Sequence, residues 1–262
     1  MKIKSLLFIC VVLLTQLTHS QNADTTLTKT EISPQNAYIT GALSVTNNGV
    51  STVPYLSLGK PAFIADMSLG KGKFSFDPQL KFDLEGVRPW SFLFWFRYKA
   101  VENDKFKFTL GAHPAYSFKT RTTVINDVEQ EAITVWRFLA TEVSSRYQIT
   151  PNFNIGPYYL YSYNMEQNVT KHTQFVSLQS TISQIRLSDE FYMNLNPQLY
   201  YLKVGRQQGF YAYASVTLAK RDFPLSISAL ANKEIKSDVA GSQNFLWNVT
   251  LTYSFKRYSL SR

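Results

Sequence analysis

The residues able to do chemistry are few, and their spacing argues against a catalytic centre. Beyond residue 20 the chain has two histidines, His113 and His172, and no cysteine. A base and a nucleophile on one face of a strand sit two residues apart, yet the residues two beyond these histidines are Ala115 and Gln174. With Cys10 the one cysteine, a disulfide framework and thiolate metal sites are excluded, and two histidines are too few for a transition-metal site. No Gly-rich phosphate loop occurs, and no cofactor is expected. Asp83 and His113 could form an acid–histidine pair, but nothing in their spacing singles them out. What remains is electrostatic. Asp66, Asp77, Lys81, Asp83, Arg97, Lys107, His113, Arg137, Glu142 and Arg146 all fall within segments of strict alternation. Charges collected on one face can pair with each other or act as a field on a passing solute.

The elements that must position these groups are strands. Phe74, Phe76, Pro78, Leu80, Phe82 and Leu84 alternate with Ser75, Asp77, Gln79, Lys81 and Asp83. Phe245, Trp247, Val249, Leu251, Tyr253 and Phe255 alternate with Asn248, Thr250, Thr252 and Ser254, with Leu246 out of step. A period of two puts every aromatic on one face, which a helix would scramble. The pattern predicts twelve strands, near 37–47, 61–70, 73–84, 89–100, 105–118, 132–149, 153–164, 172–186, 190–203, 209–220, 223–233 and 244–256. Every second connection is a short turn, such as Lys71-Gly72 or Arg221-Asp222. The first (48–60), third (119–131) and last (234–243) on the other side are longer.

Composition agrees. Aromatics reach 15% and charged residues only 17%, against roughly 25% charged in soluble proteins. The mean hydropathy is nevertheless −0.16. Strands with one greasy and one polar face give that combination, and a chain without an apolar stretch of helix-spanning length must enter a membrane as a closed barrel. Residues 1–20 read as a cleaved signal peptide: Lys2 and Lys4, the apolar run Leu6–Leu14, then Thr18-His19-Ser20 before Gln21. Its removal takes Lys2 and Lys4 and lowers the formal charge from +9 to +7. Residues 21–36 read as a flexible periplasmic segment, 37–256 as the barrel and 257–262 as a short C-terminal extension.

On these features the chain resembles bacterial outer-membrane β-barrel proteins, porin-like in the broad sense. The resemblance rests on architecture over nearly the whole mature chain, and its most specific element is the terminal strand. It implies an all-β, antiparallel, up-and-down transmembrane barrel in the outer membrane of a Gram-negative cell. It also implies contact with outer-membrane lipids and lipopolysaccharide, and insertion by the barrel-insertion machinery, with Trp247, Tyr253 and Phe255 as the assembly signal. Phe255 is followed by Lys256–Arg262 instead of ending the chain, a departure from the usual signal. Nucleic acid is not an expected partner.

The outward face is expected to carry two aromatic belts. Phe74, Phe96, Tyr98, Phe106, Tyr147, Phe153, Phe191, Phe223 and Phe255 fall near the turns. Trp90, Phe118, Trp136, Tyr163, Tyr201, Phe210 and Phe245 fall near the loops. An Arg or Lys facing lipid at mid-membrane costs roughly 2–4 kcal/mol, so the ten ionisable residues are assigned to the interior as pore-lining. Keeping both Arg137 and Glu142 inside requires a β-bulge near Phe138-Leu139. The leading expectation is a narrow channel for small polar, anion-favouring solutes, with Asp77 holding Arg97 in place. The alternatives are a non-conducting barrel that scaffolds or binds a protein partner of the envelope, and an outer-membrane hydrolase.

Overall fold

The computed structural model describes residues 37–125, 128–167 and 169–258. The expected signal peptide and residues 21–36 lie outside the described residues. So does the end of the 257–262 extension beyond Tyr258. Twelve strands follow in order: β1 Ala37–Thr46, β2 Ala62–Lys71, β3 Phe74–Asp83, β4 Arg88–Glu102, β5 Phe106–Ile125, β6 Val128–Thr150, β7 Phe153–Asn164, β8 His172–Arg186, β9 Phe191–Val204, β10 Gln207–Lys220, β11 Leu225–Ser237 and β12 Phe245–Tyr258. Each pairs antiparallel with its neighbours, and β12 closes on β1, so the sheet is a closed barrel.

Closure removes both sheet edges, the condition for a sheet to sit in lipid. Alternation then sorts the residues. On the outer surface Phe74, Phe96, Leu199, Phe210, Phe245 and Trp247 are about half exposed or more. Phe74 packs on Tyr98 and Phe76 on Phe96, extending the aromatic surface across β3 and β4. We call the two ends the turn rim and the loop rim. At the turn rim Gly72 holds φ +60, the left-handed backbone that its two-residue hairpin needs.

Local irregularities decide several side-chain directions. Pairing of β3 with β4 shifts register between Lys81 and Phe82, where Lys81 faces Ser91 and Phe82 faces Pro89. Trp90 is the extra residue of this bulge. The expectation of Trp90 in the lipid-facing belt is corrected by the bulge, which buries it at 2% exposure, with its indole nitrogen donating to Leu56 O at 3.0 Å.

No bulge occurs at Phe138-Leu139. β5 and β6 pair without interruption from Phe106↔Tyr147 to Ile125↔Val128. That register puts Trp136 and Phe138 on the interior face and Arg137 on the outer one, which corrects the expected directions of Trp136 and Arg137. Unbroken pairing also converts the expected 119–131 loop into strand. β4 and β7 pair with β5 and β6 only up to Ser117 and Phe138, so the hairpin projects beyond its neighbours as a two-stranded ribbon.

The first connection, loop L1 (residues 47–61), carries a 3-10 turn at Pro54–Leu56. Its neck is drawn together by Gly49 N donating to Lys60 O and Leu58 N to Gly49 O, each at 2.8 Å. It folds into the barrel mouth. Phe175, Tyr200, Leu202, Val204 and Tyr211 form a cluster there with Val239 of loop L6 (238–244), and Val53 and Tyr55 of L1 pack against it.

Candidate functional site

Among the described residues, the barrel interior is where several strands bring ionisable groups together. At mid-height a cross-brace spans the lumen. Asp77 on β3 accepts from Ser68, from Ser75 at 3.0 Å and from Arg97 Nη1 at 2.7 Å. Arg97 Nε donates to Glu142 Oε1 at 2.5 Å, and Tyr158 OH donates to Glu142 Oε2 at 2.7 Å. The brace thus ties β2, β3, β4, β6 and β7.

Gly111 makes the reach between Arg97 and Glu142 feasible. It lies on β5 directly opposite both residues. A Cβ there would stand 2.7 Å from Glu142 Cγ and Oε1. A side chain at 111 would occupy the space through which the two charges meet. Glu142 is only 4% exposed, so its charge depends on the Arg97 and Tyr158 donors.

Towards the turn rim the lumen is lined by polar and basic side chains. One cavity of about 300 Å³ is lined by Arg97, Lys107, Thr109, Glu142, Ser144 and Arg146 among others. Another of about 400 Å³ adds the neutral wall of Asn196, Gln198, Tyr213 and Ser215. Lys107 pairs with Glu102 at 3.5 Å. Asp66 accepts from Gln79.

Above the brace lies a cavity of about 260 Å³ capped by L1. Lys81, Trp90, Trp95, His113, Phe138 and Phe175 contribute to its wall. Lys81 Nζ stands 5.0 Å from the Trp90 ring centre. Trp95 carries the His113 ring at 3.7 Å and the Arg97 guanidinium at 4.5 Å. Asp83 is three interior positions up β3 from Asp77, about 20 Å at the usual strand rise. It accepts from Glu85 N at 2.8 Å, so it forms no pair with His113. His172 meets Tyr161 OH at 2.7 Å on Nδ1.

Arg137 lies away from this interior. Its Nε donates to Glu166 Oε1 at 2.7 Å, and Met165 N donates to its carbonyl at 2.8 Å, beside loop L4 (165–171). At the rim a cation faces water and a carboxylate, and the cost that motivated an inward assignment does not arise. The ion pair holds the Glu166 carboxyl below its ordinary value of 4.5. The other nine ionisable residues assigned to the interior are four basic (Lys81, Arg97, Lys107, Arg146), four acidic (Asp66, Asp77, Asp83, Glu142) and His113. With Arg137 outside, four cations stand against four carboxylates, and the count no longer favours anions.

Neither the family models nor the curated proteins compared with the chain gave a match. Among solved structures the barrel is similar to the KdgM porin in complex with disordered oligogalacturonate, at 11% identity and a TM-score of 0.48, covering 83% of this chain and 99% of that one. It is similar to LpxR from Salmonella typhimurium at 10% identity and 0.46, covering 82% and 100%. It is also similar to OmpT, an outer membrane protein of Vibrio cholerae, in its trimer form, at 10% and 0.43, covering 84% and 98%. Likenesses of this size assign no activity to the chain.

Sequence reasoning missed the apolar part of the interior. Trp90, Trp95, Phe138, Phe175, Leu202 and Leu246 occupy positions where alternation into a water-filled lumen predicts polar side chains. The signal was present in Leu246, the residue out of step in the last strand, which is 3% exposed.

Proposed function

We propose that the chain is an outer-membrane barrel passing small polar solutes along a narrow lumen whose loop-side mouth is held shut by L1. The observation carrying this reading is the wall between the cavities. The 260 Å³ and 400 Å³ spaces are both lined by Thr52, Arg97 and Tyr158. Side chains and one loop residue, not strands, divide them, so withdrawal of Thr52 with L1 joins the two while Arg97 and Tyr158 stay in the brace. The ends of L1 are tied to the rim, Asn47 and Asn48 to β12 and Lys60 to Glu85. Among the described residues its inward tip meets the barrel through few bonds: Trp90 to Leu56 O, Lys119 Nζ to Tyr55 O at 3.4 Å, and Tyr55 OH with Thr173 at 3.3 Å. A loop so held exchanges between in and out at modest cost. Arg97 is shared by Asp77 and Glu142 and Lys107 pairs with Glu102, so the turn-side vestibule's attraction for anions rests on Arg146, which forms no ion pair among the described residues. In this reading residues 1–20 direct export across the inner membrane, and Trp247, Tyr253 and Phe255 serve insertion.

The test is conductance in a planar bilayer. Wild-type protein is expected to give small, intermittent, anion-selective steps. Replacing residues 50–59 by a short Gly-Ser link is expected to raise the conductance several-fold. Silence of both proteins, each folded, overturns the channel. One observation favours a second reading, a non-conducting barrel that binds an envelope protein. The aromatic cluster around Tyr200 and Tyr211 fills the loop-side lumen across β8, β9 and β10. That reading predicts silence together with a stoichiometric partner on purification.

A further inference from the structure

We propose that the cavity beneath L1 binds a small organic anion carrying one ring and one acidic group. This names the solute class of the channel proposed above and draws its purpose from that reading, but binding itself requires no conduction. Three features point to it. First, the charges are one-signed: Lys81 and Arg97 line the cavity, and no carboxylate does. Arg97 is engaged by Asp77 and Glu142, whereas among the described residues no carboxylate stands within ion-pair distance of Lys81. Asp66 acts on Lys81 only from beyond ion-pair distance, and an inward lysine with no carboxylate in contact is an incompletely matched charge.

Second, the walls are aromatic. Trp90, Trp95, Phe138 and Phe175 surround the space. Flat π faces of this kind receive a ring. Third, His113 Nδ1 and Ser117 Oγ, both on the cavity wall and buried, find no hydrogen-bond partner among the described residues. Buried polar atoms left unmatched are costly, and a ligand oxygen or a bound water satisfies them. The volume corresponds to about nine waters at liquid density, enough for a single ring with one carboxylate. Small-molecule sites share this build, an apolar concavity with a few fixed polar groups.

Benzoate is the probe, with benzylamine as its cationic counterpart of similar shape. Tryptophan fluorescence of the detergent-purified full barrel is followed at pH 7.5, with Trp90 and Trp95 reporting from the wall. A saturable change with benzoate is expected, at a Kd of about 1 mM or tighter, with no such change for benzylamine. Lys81→Gln is expected to weaken benzoate at least tenfold, and Ser226→Ala, on β11 and outside the cavity's lining, to leave it unchanged. Absence of saturation with benzoate, or an equal response to benzylamine, overturns the site on the wild-type protein alone. Undiminished affinity in folded Lys81→Gln also overturns it. A barrel that binds benzoate but is silent with and without L1 keeps the site and loses the channel. A conducting barrel that ignores benzoate does the reverse.

Discussion

The lumen is two environments stacked on one another. Its turn-side half is polar and carries an ion-paired brace. Its loop-side half is rich in aromatic side chains and plugged by L1 and Val239. The brace gains strength from charges that must keep every partner, so a single loss leaves a stranded ion. The plug rests on summed contacts and weak hydrogen bonds, so single losses loosen it by degrees. One half is built to stay, the other to yield.

Substitutions can break that contrast or sharpen it. The largest effect is expected from Arg97→Met, which leaves Asp77 and Glu142 facing each other without a cation. Urea unfolding should show a loss of about 3–5 kcal/mol, and reversal potentials should swing toward cations while L1 stays in place. Next is Phe175→Ala in the plug, at about 3 kcal/mol, because the cavity it leaves lies under Tyr200 and Tyr158. Here conductance should rise while ion preference is kept, the opposite outcome to the brace. Gly111→Ala should cost about 1–3 kcal/mol by crowding Glu142, and should mimic a mild Arg97 loss in selectivity.

Tyr55→Phe removes one hydrogen bond to Thr173 and should cost about 1 kcal/mol, read as longer open times and no change in unfolding. The smallest effect concerns pH at the outer rim. Because Arg137 lowers the folded pKa of Glu166, the pair's contribution is present above the carboxyl's unfolded value of 4.5 and fades as pH falls through the lower folded one. Protease sensitivity of L4 should therefore rise only below pH 4.5, and Glu166→Gln should show the raised sensitivity at neutral pH. A brace-like response at that exposed pair would blur the distinction.

Most of the fold was legible because a strand in a barrel has only two faces. Phe74 to Asp83 and Phe245 to Phe255 declare theirs residue by residue. Failure came where the two-face rule lost its premise. Arg137 was assigned inward because an outward arginine was assumed to meet hydrocarbon; beside L4 it meets Glu166. That one assumption forced a bulge and flipped Trp136. Trp90 misled for the converse reason, since a bulge at a strand's end turns a side chain without marking the sequence. The residues 119–131 resembled a loop because their pairing is only with each other.

The interior aromatics were illegible for a different reason. Phe175 and Leu202 make sense inside only when Val53, Tyr55 and Val239 arrive to cover them, and no local pattern says that a loop turns inward. Asp77 with Arg97 was readable as cross-strand neighbours. The reach of Glu142 to Arg97 was not, because it crosses β5 through the gap that Gly111 leaves.

The junction of β12 with β1 has a consequence of its own. Nine residue pairs, Tyr38↔Tyr258 to Thr46↔Thr250, join the first and last strands. They are laid down over the largest sequence separation in the molecule, so this seam bears the greatest entropic burden of ring formation. Until it zips, β1 offers a bare row of amides and carbonyls to whatever strand comes near. The partly built sheet is therefore at its most vulnerable to misjoining in the moment before the last strand lands.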